Sequence, residues 1–390
     1  MGPNPTSRMK MFTTSYSSLD QMSLYPDSKI KEYSSRTLLM KFYSRIQLDG
    51  KFDEVWGREK DQFPQPIDPN EDPYGYLGMT KNPDGSITRL SQVQTPGTPA
   101  SSDPSNPFQV SKDADVNQSK GTWARIFVPR AAFDSFPTTK LPLIVYFHGG
   151  GFVVFSVNTA MFDALYTPIV TEIPAVVVSV EYRLAPEHRL PAAYEDCFEA
   201  LHWIKASNDE WLEKYADFSK AFLMGTNAGG NIAYHVGLSA AACMDDLLPL
   251  RIKGLILHHP FFGGTELTES ELKLAKDMVI PLTVCDLMWD LSLPIGFDRD
   301  HRYCNPMAFI TSDQFDQVKA LGWKILVTGF DGDPLRDRQI ELWKKLEEDG
   351  VSVTGKFDEG GSHGYEALDP AKAKELAITI KDLVESATTS

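Results

Sequence analysis

A five-residue turn, Gly225-Thr226-Asn227-Ala228-Gly229, constrains this chain more than any other feature. The apolar run Ala221-Phe222-Leu223-Met224 before it reads as a buried strand. Gly230-Asn231-Ile232-Ala233-Tyr234-His235-Val236 after it reads as the start of a packed helix. A strand that reverses into a helix through Gly-x-x-x-Gly lifts the middle residue of the turn to the top of a sheet, the arrangement of a nucleophile elbow. That middle residue is expected to be Ser, and here it is Asn227. An amide has no hydroxyl to deprotonate, so it cannot form an acyl intermediate through oxygen. Asn tolerates positive φ better than most residues. The turn is therefore expected to survive the exchange while covalent chemistry is not.

The surrounding pattern is that of an α/β chain. Leu143 to Phe147, Ala175 to Val180, Gly254 to His258 and Lys324 to Thr328 are apolar, strand-length runs. Helical spacing separates them over Pro191–Ser207, from the elbow to about Ala242, and over Arg336–Asp349, with Pro370–Glu385 closing the chain after a strand near Val351–Phe357. Such alternation implies a mostly parallel central sheet flanked by helices. The stretch Tyr74–Arg89 is a helix or strand carrying the turn Asn82-Pro83-Asp84-Gly85, and residues 94–108, with four prolines, are a loop. An apolar insertion, Glu266–Gly296, interrupts the alternation and is expected to form a small helical cap with contributions from residues 68–110. The domain is taken to run from 68 to 390. Residues 1–67 form a Ser-, Tyr- and Lys/Arg-rich extension, either disordered or a targeting segment.

Composition excludes several function classes. A net charge of −15 argues against nucleic acid and anionic membranes as partners, because phosphate contacts need a basic patch. The four cysteines, at 197, 243, 285 and 304, show no paired spacing, so neither a zinc site nor a disulfide framework is expected and a reducing compartment fits. No run of about 18 apolar residues is present, so no membrane span is expected. Cytoplasmic residence follows, with a plastid as the alternative if residues 1–67 hold a transit segment.

Four segments suit one site. His148-Gly149-Gly150-Gly151-Phe152 follows a strand, and its glycines let the N–H groups of Gly149 and Gly150 face a substrate oxygen, with the N–H of Ala228 as a third donor. Donors of this kind stabilise a developing oxyanion by about 3–4 kcal/mol each. The elbow is the second segment, Asp333-Pro334-Leu335-Arg336-Asp337 the third and Ser362-His363-Gly364 the fourth. In this order Asp333 orients His363 and stabilises its charged form. Asp331 and Asp337 are rivals; Asp333 is preferred because it precedes Pro334 at a strand-to-helix turn, whereas Asp337 falls inside the helix. Thr226 and Ser362 are poor substitute nucleophiles, one pointing away as an elbow neighbour and the other with no reason to face the site. Phe152, Trp289 and Tyr365 are candidate apolar lining.

These motifs, with Glu181-Tyr182-Arg183-Leu184-Ala185-Pro186-Glu187-His188 and Pro191-Ala192-Ala193-Tyr194-Glu195-Asp196, resemble the plant carboxylesterase family within the hormone-sensitive-lipase-like α/β-hydrolases, from about Pro66 to the C-terminus. The resemblance implies an α/β-hydrolase fold, a small-molecule ester as substrate, often an acylated specialised metabolite, and no cofactor or metal. It extends to gibberellin receptors, which lost catalysis, and to dehydratases and cyclases, which redirected it. Three functions follow as expectations. One is a hydrolase weakened by Asn227, in which His363 activates water. The second is a lyase or cyclase using His363-Asp333 as base with the oxyanion hole. The third is an inactive small-molecule receptor.

Overall fold

A computed structural model describes residues 70–90, 97–103, 105–135, 139–311, 313–367 and 369–389, and residues 1–67 lie outside it. The chain enters through a short helix, α1 (Pro73–Tyr76), and a hairpin of β1 (Met79–Lys81) with β2 (Ile87–Arg89). Its turn is the Pro-Asp-Gly segment read from the sequence. A second hairpin follows, β3 (Gln109–Asn117) with β4 (Thr122–Pro129) and then α2 (Arg130–Ser135). This hairpin is absent from the sequence expectations. β3 carries Lys112, Asp113 and Asp115, which are charges typical of a sheet edge and mask a strand pattern.

From there strand and helix alternate. β5 (Leu141–Phe147), α3 (Ala160–Glu172), β6 (Val176–Val180), α4 (Ala192–Lys205), α5 (Glu210–Tyr215), β7 (Ala216–Thr226) and α6 (Ala228–Ala242) come first. β8 (Ile252–His258), α7 (Glu269–Lys273), α8 (Leu282–Ser292), α9 (Asp316–Ala320), β9 (Lys324–Gly332), α10 (Arg336–Glu348), β10 (Ser352–Ser362) and α11 (Pro370–Thr388) complete the order. The eight-stranded sheet runs β10-β9-β8-β7-β5-β6-β4-β3. β4 pairs antiparallel with both neighbours, and the pairs from β6 through β5, β7, β8 and β9 to β10 are parallel.

Period-two alternation divides the apolar strands between two cores. Leu143, Val145 and Phe147 of β5 face one side with Val176, Val178 and Val180 of β6, against α4, α6 and α10. Ile144, Tyr146, Val177, Phe222 and Met224 face the other, against α3 and α11. Burying a side chain of this size fully is worth about 1.5–3 kcal/mol. The sheet is thus fixed on both faces, and its strand ends become rigid posts. The residues just past β5, β7, β8, β9 and β10 meet at one edge of it.

The 266–296 insertion contains α7 and α8 and lies over that edge. Tyr76 of α1 donates its hydroxyl to the carbonyls of Met278 and Val279, which ties α1 to the insertion.

Candidate active site

The elbow is set by close backbone packing. A Cβ at Gly225 would lie 2.0 Å from the carbonyl oxygen of Gly229, and one at Gly229 would lie 1.8 Å from that of Phe147. Only glycine fits either place. Between them Asn227 takes φ 57° and ψ −120°. Its N–H donates to His258 O at 3.0 Å, and its carbonyl accepts from Gly230, Asn231 and Phe261 at 2.9–3.2 Å.

The Asn227 side chain, 6 % exposed, spans the site. Its Oδ1 accepts from the N–H groups of Gly150 at 3.2 Å and Gly151 at 3.0 Å. Its Nδ2 lies 3.0 Å from His363 Nε2. The orientation of the amide follows from these partners, since the flipped amide would set NH₂ against two N–H donors. The donors facing residue 227 are therefore Gly150 and Gly151, whereas the sequence pattern points to Gly149 and Gly150. Gly149 instead allows close approach: a Cβ there would stand 3.0 Å from Thr226 O and 3.1 Å from Asn227 Cβ. Gly150 and Gly151 have φ of 112° and 58°, which aims their N–H groups inward. Ala228 opens α6 and is buried.

His363 Nδ1 donates to Asp333 Oδ2 at 3.0 Å. The same oxygen takes the side-chain N–H of Gln339 at 2.9 Å and of His259 at 2.8 Å, while Oδ1 takes the N–H of Leu335 at 2.9 Å. Burial opposes ionisation of this carboxyl, but the His363 and His259 imidazoles overcome it and hold Asp333 far below the usual carboxylate range. The two rivals sit elsewhere: Asp331 caps Gly360 N–H, and Asp337 in α10 accepts from Ser270 N–H. With His363 Nδ1 donating to Asp333, its Nε2 is left as an acceptor, which is what the Asn227 NH₂ requires.

Sequence reasoning missed a second buried group behind the carboxylate. His259 lies between Asp333 and Glu366, its Nε2 3.4 Å from Glu366 Oε2, and His258 Nε2 lies 2.9 Å from Glu366 Oε1. Thr328 Oγ1 stands 2.6 Å from His258 Nδ1. Glu366 attracts the charged His259 ring as an ion pair, while the His258 ring facing its other oxygen is neutral. Burial works against the His259 imidazolium, but Glu366 and Asp333 outweigh it and raise the ring to about 9. Burial and the neighbouring His259 charge push His258 down to about 4. Glu366 is held well below the carboxylate range against its burial by the two imidazoles. The only signal in the sequence was the His258-His259 pair directly after a strand. These groups, like His259, Asp333 and His363, hold ligand-type atoms within 4.8 Å of one another. Spacings of 2.8–3.0 Å from Asp333 to its two imidazoles fit shared protons.

His148 is structural. Its Nδ1 donates to Gly149 O at 2.7 Å, the ring stacks on Tyr182 at 4.3 Å, and burial lowers it to about 4.

Of the proposed lining residues, Trp289 stacks on Phe261 with centroids 4.6 Å apart and helps to line a cavity of about 20 Å³ with Pro334 and Leu335. That volume holds roughly one water. Phe152 stands behind Trp289, 1 % exposed, so it is core packing. Tyr365 is half-buried against Phe330. A wider groove of about 420 Å³ lies farther out, between β1–β2, Pro186–Arg189 and α8. Among the described residues no helix is long and apolar enough to cross a membrane.

Comparison with known proteins matches the chain to a family. Residues 144–367 match the family described as the α/β hydrolase fold. The chain is 50% identical to Carboxylesterase 20 of Arabidopsis thaliana over 328 residues, 83% of this chain and 98% of that one. It is 45% identical over 319 residues to the 3-O-acetylpapaveroxine carboxylesterase CXE2 of Papaver somniferum, covering 80% and 98%. The gibberellin receptor GID1C of Arabidopsis thaliana is 33% identical over 301 residues, 74% and 84%. Among solved structures, an esterase of Pyrobaculum calidifontis superposes with a TM-score of 0.60 at 26% identity, over 71% of this chain and 86% of that one.

Proposed function

The chain belongs to the α/β-hydrolase family, on its plant carboxylesterase branch, and from that membership we propose that it engages a small ester or carbonyl compound, such as an acylated specialised metabolite, with hydrolysis weakened by Asn227. One observation carries the reading: a single amide ties together the two parts that catalysis needs free. Oδ1 fills the place of the oxyanion at Gly150 and Gly151, and Nδ2 occupies His363 Nε2.

The remaining chemistry is that of the residues left. His363, oriented by Asp333, takes a proton from water, and water replaces the missing serine as attacking group. In a serine protease, loss of the triad serine costs about 10⁶ in turnover, with roughly 10³–10⁴ over water remaining. This chain is expected near that remnant, or below it while Asn227 holds the hole. Elimination or cyclisation needs the same base and hole free, so the amide weighs against it as it weighs against hydrolysis. The amide favours a second reading, ligand binding without turnover, to which the receptor relative adds support. For localisation, the cytoplasm is our reading, with a plastid as the alternative through residues 1–67.

The test compares the native chain with Asn227→Ser on a p-nitrophenyl ester. The substitution restores a hydroxyl beside His363, and a gain of at least about 10³-fold is expected. An unchanged rate in a folded variant would show that His363, Gly150 and Gly151 are not a hydrolytic apparatus. Calorimetric binding of an ester with no turnover in the native chain selects the receptor reading.

A further inference from the structure

We propose that residue 227 is a self-modification site: His363 slowly hydrolyses the side-chain amide of Asn227 to a carboxylate, converting it to aspartate. The geometry is that of an amide substrate already seated. Its carbonyl oxygen accepts two backbone N–H bonds, from Gly150 and Gly151 at 3.2 and 3.0 Å, the arrangement that stabilises a tetrahedral oxyanion. The nitrogen that must leave lies 3.0 Å from His363 Nε2, the atom able to deliver a proton to it. Asp333 Oδ2 holds the other ring nitrogen at 3.0 Å and stabilises the imidazolium that forms in between.

The step balances with water as the only co-reactant. Water adds to Cγ and gives a proton to His363 Nε2. The oxyanion forms against Gly150 and Gly151. His363 returns the proton to Nδ2, the C–N bond breaks and ammonia leaves. The new carboxylic acid ionises, so the products are aspartate and ammonium. General acid–base help contributes about 10²–10⁴ and the hole about 10²–10³, set against the very slow hydrolysis of a free amide. Burial of the amide at 6 % exposure keeps water sparse, so conversion over days rather than minutes is expected.

The chain carries its own control. Asn231, one turn into α6, is equally well bonded: Nδ2 donates to Phe261 O and Tyr303 O, and Oδ1 accepts from Tyr194. No imidazole is among its partners, so Asn231 should remain an amide.

The inference rests on the same base and donors as the proposed function but needs no ester. The purified full chain is held near neutral pH for days, then digested and read by mass spectrometry that separates aspartyl from isoaspartyl peptides. Expected are a gain of one dalton at residue 227, the aspartyl form alone, ammonia released in equal amount, no change at Asn231, and a rate about 10²–10⁴ lower in His363→Gln. An unchanged amide at 227 overturns the inference. So does a mixture rich in isoaspartate, since that product comes through a cyclic imide closed by the Ala228 nitrogen and owes nothing to His363. The isomer ratio is read in the native chain, so the outcome does not depend on the variant folding. An Asn227→Ser variant that hydrolyses esters beside a native chain that stays amidated overturns self-hydrolysis alone and leaves the proposed function standing.

Discussion

Two buried imidazoles share one oxygen of Asp333, and their neighbours give them different duties. His363 looks toward Asn227, while His259 is enclosed by Asp333, Glu366, His258 and His363. The His259 ring is raised from 6.5 to about 9, above its unfolded value, so its stabilisation is complete below about pH 6.5 and is lost as pH rises through 9. The amount is on the order of 3 kcal/mol. His148, His235 and His258 are lowered by burial to about 4, 3 and 4, so they act with the opposite sign and remove stability as pH falls below 6.5. Denaturant unfolding measured across pH should therefore weaken on both sides of about 6.5. In His259→Gln the alkaline decline should flatten; an alkaline limb unchanged by the substitution would deny His259 its proton. Asn227, Asp333 and His363 could be placed from the sequence because each follows a strand in a fixed order. Glu366 could not: it sits in a short 3₁₀ turn (Tyr365–Ala367), and nothing local marks it as buried.

At the level of the element, the elbow between β7 and α6 tolerates an unusual residue at its apex because its flanks are rigid in shape. Gly229→Ala would force a methyl against the Phe147 carbonyl at 1.8 Å, a backbone contact that no rotamer relieves. A loss of more than about 3 kcal/mol is expected, read as a drop in Tm; a shift of a degree or two would mean that β7 and α6 part easily. The glycine spacing was visible in the sequence for this reason, as were β5 through β9, whose two-sided burial leaves continuous apolar runs. The β3–β4 hairpin was not visible, because Lys112, Asp113 and Asp115 on β3 break up its apolar pattern. The insertion was readable as an interruption and a share for residues 68–110 was expected, but the tie itself, the Tyr76 hydroxyl of α1, depends on residues 202 and 203 positions away.

On the scale of the whole molecule, the carboxylesterase relatives match about 320–330 residues of this chain at 98% of their own length, so the domain we propose for residues 68–390 is of the size they need. A chain starting at residue 68 is expected to unfold within a few degrees of the full chain and to bind the same esters. A large loss would assign residues 1–67 a share in the domain.

The bridge made by the Asn227 amide also bears on affinity. A carbonyl guest finds no vacancy at Gly150 and Gly151; it must first evict a resident that came with the chain. Eviction costs two hydrogen bonds, about 1–3 kcal/mol, so Asn227→Ala should hold such a guest roughly 5- to 150-fold more tightly than the native chain, even though it has even less with which to transform it.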